Sequence, residues 1–201
     1  IQLKQPKDKK LYVTTNALIY YAKAVAYANL GKDKKAKKCM RKFSNAYAKV
    51  PESRHLFNNK SRDVLGIANE MMKGEVAFKS GNKTKGLNHL RRAVELDDNL
   101  NYEEPWSWPQ PTRHALGALL LEVGNYSEAE LVYKADLGLD GNLPRPSHHP
   151  KNVWALHGLH ECLKHRNDAI ELPYIAFLLQ QAEARSDIKI NASCLCRIGK
   201  S

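Results

Sequence analysis

Histidine, the side chain that most often binds metals and moves protons, is concentrated in one short stretch of the sequence. His157 and His160 are three residues apart, so on a helix both can face one metal ion. Cys162 follows closely, but there is no HExxH motif, no paired CxxC and no carboxylate at a firm spacing from the pair. The pattern therefore favours histidines that fill the core or the surface, with His157 and His160 as an alternative metal site and no cofactor predicted. The cluster comprises five histidines within eighteen residues, namely His148, His149, His157, His160 and His165.

A second concentration of binding residues lies in NYEEPWSWPQPTR, residues 101–113. Its three prolines oppose helix formation and favour an extended strap. Side chains two apart in an extended chain point the same way, so Trp106 and Trp108 are predicted to share a face, with at least one buried. They either fill the joint between helices or border a pocket at the start of the next helix, where Arg113 suits a carboxylate or phosphate. The predicted pocket residues are Glu104, Trp106, Arg113 and His114.

Recognisable catalytic motifs are absent from the sequence. There is no GxSxG, GxxxxGK[ST] or GxGxxG. Ser193, Cys194 and Cys196 have no base at a recognisable spacing that would activate them as nucleophiles. The sequence therefore favours a non-enzymatic role and keeps catalysis as an alternative.

The net excess of positive charge lies in the first third of the chain. Residues 1–62 hold 16 Lys and Arg against 3 Asp and Glu, whereas the net charge of the whole chain is +11. Such a surface attracts anionic partners, although a charged run also serves as an ordinary solvated helix face. Few aromatic residues follow the run, so stacking on nucleic-acid bases is not expected. The basic patch consists of Lys34, Lys35, Lys37, Lys38, Arg41 and Lys42.

Four cysteines in a chain of 201 residues rich in helix formers indicate reduced thiols rather than a disulfide framework. No apolar run approaches the roughly 18 residues of a membrane helix, and no signal-peptide pattern is present. We expect a cytoplasmic protein, while four N-x-S/T sequons keep secretion open. Two of them follow a glycine in an expected turn, where asparagine tolerates left-handed backbone. The sequon residues are Asn59, Asn82, Asn125 and Asn191.

Apolar residues recur at three- and four-residue spacing from Tyr12 onward, which predicts an all-α chain of four helical hairpins. We expect a polar segment over 1–11, a helical-repeat domain over 12–184 and a tail over 185–201. Only 187–194 reads as a possible strand. Stacked hairpins that share one apolar seam form an α-solenoid, here with long loops between repeats. The expected turns lie at Gly31, Gly81, Gly124 and His165–Asp168.

The hairpins resemble tetratricopeptide repeats. That family places Leu-Gly and an aromatic residue on the first helix, then a turn glycine, and small and aromatic residues on the second. The third hairpin carries this pattern best, with Asp136 in place of the last alanine. Its matching residues are Leu116, Gly117, Gly124, Ala129 and Tyr133.

The stretch 64–165 is similar to the C-terminal part of large, mainly bacterial proteins of this family, so the chain is expected to be part of a longer one. The resemblance implies a concave groove that holds a protein or peptide segment. The family's basic clamp for acidic tails is not matched, because Tyr21 and Val25 occupy its positions in the first hairpin. The expected groove residues are Tyr21, Met71, Glu75, Lys79, His114, Glu122 and Asn152.

The leading hypothesis is therefore a non-enzymatic scaffold that docks a protein segment in its groove, with the basic patch aiding an acidic partner. The alternative is a small-molecule or metal-binding protein, with or without catalysis, that uses the strap pocket of 103–114 and the histidines of 148–165. Nucleic-acid binding ranks third.

Overall fold

The structure, a computed structural model, describes residues 3–4 and 6–197. Across these residues the chain is built from helices, which confirms the all-α helical-repeat fold. The helices are α1 Val13–Asn29, α2 Asp33–Tyr47, α3 Ser61–Lys79, α4 Lys83–Asp98, α5 Thr112–Glu122, α6 Tyr126–Leu137, α7 Val153–Arg166 and α8 Glu171–Glu183, with 3-10 turns at Arg145–Ser147 and Leu195–Arg197.

Consecutive helices pack as four hairpins, α1 with α2, α3 with α4, α5 with α6 and α7 with α8. The chain divides into two compact units of two hairpins each, a first unit through Pro109 and a second unit from Gln110. In the first unit α1 also packs on α3, and in the second α7 packs on both α5 and α6. Each unit thereby buries the apolar stripes that one hairpin alone leaves in water.

Glycine and asparagine have different roles in the interhelical turns. The turn glycines Gly31, Gly81 and Gly124 all have positive φ, from +66° to +93°, a conformation that other residues rarely adopt. Asn82 and Asn125 do not adopt it, contrary to our expectation. They instead cap the next helix, accepting hydrogen bonds from the backbone N–H groups of Lys85 and Glu128.

The closest packing in the second unit surrounds Tyr133 of α6. Its side chain is fully buried, and its ring lies against Gly117 of α5 and Gly158 of α7, where a Cβ atom has no room. The two glycines thus form a slot for one aromatic ring. This is the packing reason for the Leu-Gly and aromatic positions in the sequence pattern.

The irregular segments differ from the sequence predictions. The only β-ladder in the described residues is a hairpin of His55–Leu56 and Asn59–Lys60, whereas 187–194 forms no strand because it lacks an edge with which to pair. Cys194 and Cys196 are joined as a disulfide, which corrects the prediction of four reduced thiols. Their Cα atoms are 5.2 Å apart, within the range of about 4.4–6.8 Å that a disulfide spans.

The last hairpin turns at Asn167, whose φ of 54° is left-handed. Pro173 lies in the first turn of α8. Backbone N–H groups in this turn have no acceptor within the helix, so a proline there costs no helical hydrogen bond. No helix of the described residues has the length and apolar character needed to cross a membrane.

Candidate functional site

The start of the strap, residues 101–103, is held by the β-hairpin of the first unit. Asn59 pairs with the backbone of Asn101, its Nδ2 donating to the carbonyl at 2.8 Å and its Oδ1 accepting the N–H at 2.8 Å. The backbone N–H of Asn58 donates to Glu103 at 2.8 Å, and its side chain donates to the Tyr102 carbonyl. The buried side chain of Asn59 therefore has a structural role, because it hydrogen-bonds the backbone of the strap as a neighbouring β-strand would.

The two tryptophans of the strap do not share a face. Trp108 is 4% exposed and lies edge-on to Tyr21 of α1, with ring centroids 5.4 Å apart, whereas Trp106 is 46% exposed. The chain bends at residues 104–105 and 107–110 instead of running extended, so the alternation expected from sequence fails. One anchoring tryptophan was predicted, and Trp108 is that anchor.

The expected groove residues of the first unit are mostly covered. Met71 has no exposed surface and packs in the core, so it cannot contact a docked ligand, and Glu75 is 3% exposed. Burial raises the pKa of Glu75 to about 7, although a hydrogen bond with Asn29 and the charge of Lys79 oppose the shift. Lys79 ends α3 with its ammonium 6.0 Å from the Phe78 ring centroid.

Replacing Trp108 with alanine should lower the free energy of unfolding of the first unit by about 2 kcal/mol. This is less than the 3–5 kcal/mol typical of a core tryptophan, because the strap can leave α1 without unfolding the helices. Chemical denaturation followed by circular dichroism measures the change. Trp106→Ala is the matched control and should cost less than about 1 kcal/mol; equal losses in the two variants would mean that Trp108 is not the anchor.

The predicted strap pocket separates into residues of the two units. In the first, Glu104 is exposed and accepts a hydrogen bond from the Tyr102 hydroxyl. In the second, Arg113 is half-buried in the first turn of α5, and Glu122 is half-buried at the end of the same helix. Asn152 caps α7 by accepting from the N–H groups of Trp154 and Ala155, so its side chain serves the helix rather than a groove.

His114 is turned inward, where it pairs with a buried carboxylate. Asp136 of α6 is 1% exposed, and its two oxygens bind His114 Nε2 and His149 Nδ1, each at 2.9 Å. The backbone N–H of His149 also donates to the Asp136 carbonyl at 2.7 Å. Burial alone would raise the pKa of Asp136, but hydrogen bonds from the two histidines outweigh burial, and the net pKa is lowered.

This His–Asp–His bridge ties α5, α6 and the loop before α7 together. The sequence predicted His114 as a ligand residue, whereas the structure places it in this bridge. The available signal was Asp136 itself, because a carboxylate stands at a helix position where the repeat pattern requires a small apolar residue. A buried charge at such a position requires partners, and histidine can supply them.

The alternative metal site at His157 and His160 has no third ligand. No group of three His, Cys, Asp or Glu residues within 3–4 and 6–197 is arranged to hold a metal ion. Cys162 is buried on the same helix, and burial, followed by the charges of Glu130 and Glu161, raises the pKa of its thiol to about 12. A thiol that stays protonated is a poor nucleophile and a poor metal ligand.

A scan against protein-family models matched residues 17–48 to a tetratricopeptide repeat. The match begins in the second turn of α1 and ends just after α2, and the same two-helix design recurs in the other three hairpins. The first hairpin is therefore a tetratricopeptide repeat. No curated protein matches the chain. Tetratricopeptide repeats indicate, in general, a scaffold for interactions between proteins.

The matched tetratricopeptide repeat carries the basic patch on the outer face of α2. Ala36, Cys39 and Phe43 form the buried face of this helix, and the opposite face is open to solvent. Within the part of the chain that the structure describes, none of the six basic side chains forms an ion pair with a carboxylate. All six residues of the patch are exposed, namely Lys34, Lys35, Lys37, Lys38, Arg41 and Lys42.

A cavity of about 240 Å³ opens at one end of this patch, between α1 and α2. Three lysines, Lys9, Lys42 and Lys49, line the cavity together with Asn16, which is 7% exposed. The cavity gives the basic patch a concave end.

Proposed function

We propose that this protein is a non-enzymatic scaffold that docks an acidic protein segment on the basic patch of α2. The observation that carries the proposal is the exposure of six neighbouring cations with no carboxylate paired to them in the described residues. Residues 1–62 hold only three acidic residues: Asp8 accepts hydrogen bonds from the N–H groups of Lys10 and Leu11, Glu52 pairs with Arg62 at 2.7 Å, and Asp33 lies in the first turn of α2. One carboxylate on α2 leaves the patch with a large positive excess.

The surroundings of the patch favour protein over nucleic acid. A single-stranded nucleic acid requires open aromatic faces on which its bases stack. Lys35 lies over the Tyr27 ring and Lys42 over the Tyr20 ring, 5.7 and 5.6 Å from the centroids, so one face of each tyrosine next to the patch is already occupied. An acidic peptide requires only the ammonium groups and a concave end such as the one beside Lys42.

Removing charge from the patch should weaken an acidic peptide at least tenfold. The probe is a fluorescent peptide of six glutamates, and the variant replaces Lys34, Lys37, Lys38 and Arg41 with glutamine, which keeps helix propensity. Four lost contacts remove most of the attraction, and wild-type affinity should fall steeply with added salt. Fluorescence anisotropy gives both results.

The matched control also replaces four exposed lysines with glutamine, at Lys83, Lys85, Lys151 and Lys189. It changes the net charge equally and should bind the peptide within about twofold of wild type. Equal losses in the two variants would mean that overall charge, not the patch, attracts the peptide. Tighter binding of a thymidine 15-mer than of the peptide at the same salt concentration would overturn the choice of a protein partner.

We propose the groove face of α1 and α3 as a second contact for the same segment. Trp108 of the strap rests there against Tyr21, so a segment that enters this groove must displace it. Support for this contact would be tighter binding of the glutamate peptide by the Trp108→Ala variant. Unchanged binding would restrict docking to the basic patch.

A further inference from the structure

A cavity of about 430 Å³ in the second unit lies between α7 and the C-terminal segment. His157, His160 and Lys164 are spaced three and four residues apart, so they share one face of α7 and line the cavity together. Asn191 and Arg197 contribute the opposite wall. The volume falls in the range of about 300–1,000 Å³ that is typical of small-ligand pockets.

Positive groups dominate this lining. Its one carboxylate, Glu161, is occupied by Arg197, which binds both oxygens at 2.8 and 2.9 Å. The side chains of His157, His160 and Lys164 form no hydrogen bond or ion pair with any residue among 3–4 and 6–197. The Nδ1 atom of His157 is buried without a partner there, which is costly unless something else supplies one.

A positive charge on one histidine also makes protonation of the other less favourable. Burial lowers the pKa of His160, and the nearby positive charges of His157 and Lys164 lower it further, while Glu183 and Glu161 act the other way. A further positive charge in the cavity is therefore unfavourable. A negative charge placed among these groups would reverse the effect.

We propose that this cavity binds an oxyanion, a carboxylate or a phosphate group, carried by a molecule large enough to fill the remaining volume. Lys164 and the two histidines donate hydrogen bonds to the anion, and Arg197 stays bound to Glu161 and fixes the wall. This site lies in the second unit and does not depend on the basic patch of α2, so either proposal can fail without the other.

The proposal predicts that binding strengthens as the pH falls. An anion favours the charged form of each histidine, so protons are taken up on binding, and affinity rises as the pH drops from about 8 to about 6. The groups that face the histidines are Lys164 and Glu161 on α7, Glu183 on α8 and Arg197 of the C-terminal segment. The proposal assigns the pH dependence to the two histidines of this face.

The experiment is an NMR titration of the histidine ring signals with inorganic phosphate and, separately, with acetate, at pH 6 and pH 8. We expect the signals of His157 and His160 to shift at pH 6, with an affinity at least about fivefold weaker at pH 8. The probe that binds more tightly identifies the group, phosphoryl or carboxylate. No shift with either probe, or binding independent of pH, would overturn the proposal.

Three variants test the residues, with circular dichroism as the check on folding. His157→Gln/His160→Gln should weaken the better probe about tenfold and abolish its pH dependence. Lys164→Gln, on an exposed position, should weaken it about threefold and keep the pH dependence. His165→Gln is the control, because His165 stacks on Tyr126 at 4.0 Å outside the cavity; a loss of binding in this variant equal to that of the double variant would contradict the assignment.

Discussion

Replacing Gly158 with alanine should lower the free energy of unfolding of the second unit by at least about 3 kcal/mol. An added Cβ would overlap the ring of Tyr133, and that ring cannot retreat, because on its other side a Cβ at Gly117 would lie 2.5 Å from the same ring. Overpacking a core ordinarily costs about 1–3 kcal/mol. The loss of stability in Gly158→Ala should lie at or above the upper end of this range, because α6 and α7 must move apart to make room for the methyl group. Chemical denaturation with circular dichroism measures it.

Two further variants separate steric conflict from the general effect of alanine in a helix. Gly66→Ala places the same methyl group in α3, where the nearest side-chain atoms are 3.8 and 3.9 Å away. It should stabilise the first unit by about 0.5–1 kcal/mol through helix propensity. In a Tyr133→Leu background the Gly158→Ala penalty should fall by at least half. A penalty that is the same in both backgrounds would contradict the slot.

The hairpins and their turns could be predicted from sequence because the signals are local. Gly31, Gly81 and Gly124 interrupt the three- and four-residue spacing of apolar residues, and each lies in the turn predicted from that interruption. The first-turn position of Pro173 follows equally from its missing N–H. Even the glycine–tyrosine slot was present as a family pattern, although its packing reason emerges only when α5, α6 and α7 come together.

The strap could be predicted only in part. Its prolines correctly indicated a non-helical connector with a tryptophan anchor, but the choice of Trp108 depends on bends and on Asn59, 42 residues from Asn101 in sequence. No periodic signal encodes a pair that far apart. The groove residues were predicted less well. The helical spacing predicted the face of α3 on which Met71 and Glu75 lie, but not that packing against α1 buries them.

Replacing Asp136 with alanine should lower the free energy of unfolding of the second unit by about 3–5 kcal/mol, the cost of breaking a buried charged pair from one side. The change leaves His114 and His149 without an acceptor and releases the loop before α7. Asp136→Asn should cost less, because its remaining oxygen still accepts from one histidine. Asp140→Asn, in the loop turn that binds Asn142, is the control and should cost less than about 1 kcal/mol.

The same bridge makes the stability of the second unit sensitive to acid. The pKa of Asp136 is lower in the folded chain than its ordinary value of 3.8, so the folded state binds the Asp136 proton less readily than the unfolded state. Its contribution is therefore complete above that ordinary pKa and is lost as the pH falls through the lower, folded value. The stability difference between wild type and Asp136→Asn should therefore shrink as the pH falls below about 4. Two results would show that the bridge does not hold these helices together. One is that the NMR ring signals of His114 and His149 are the same in Asp136→Ala as in wild type. The other is a stability difference that grows in acid.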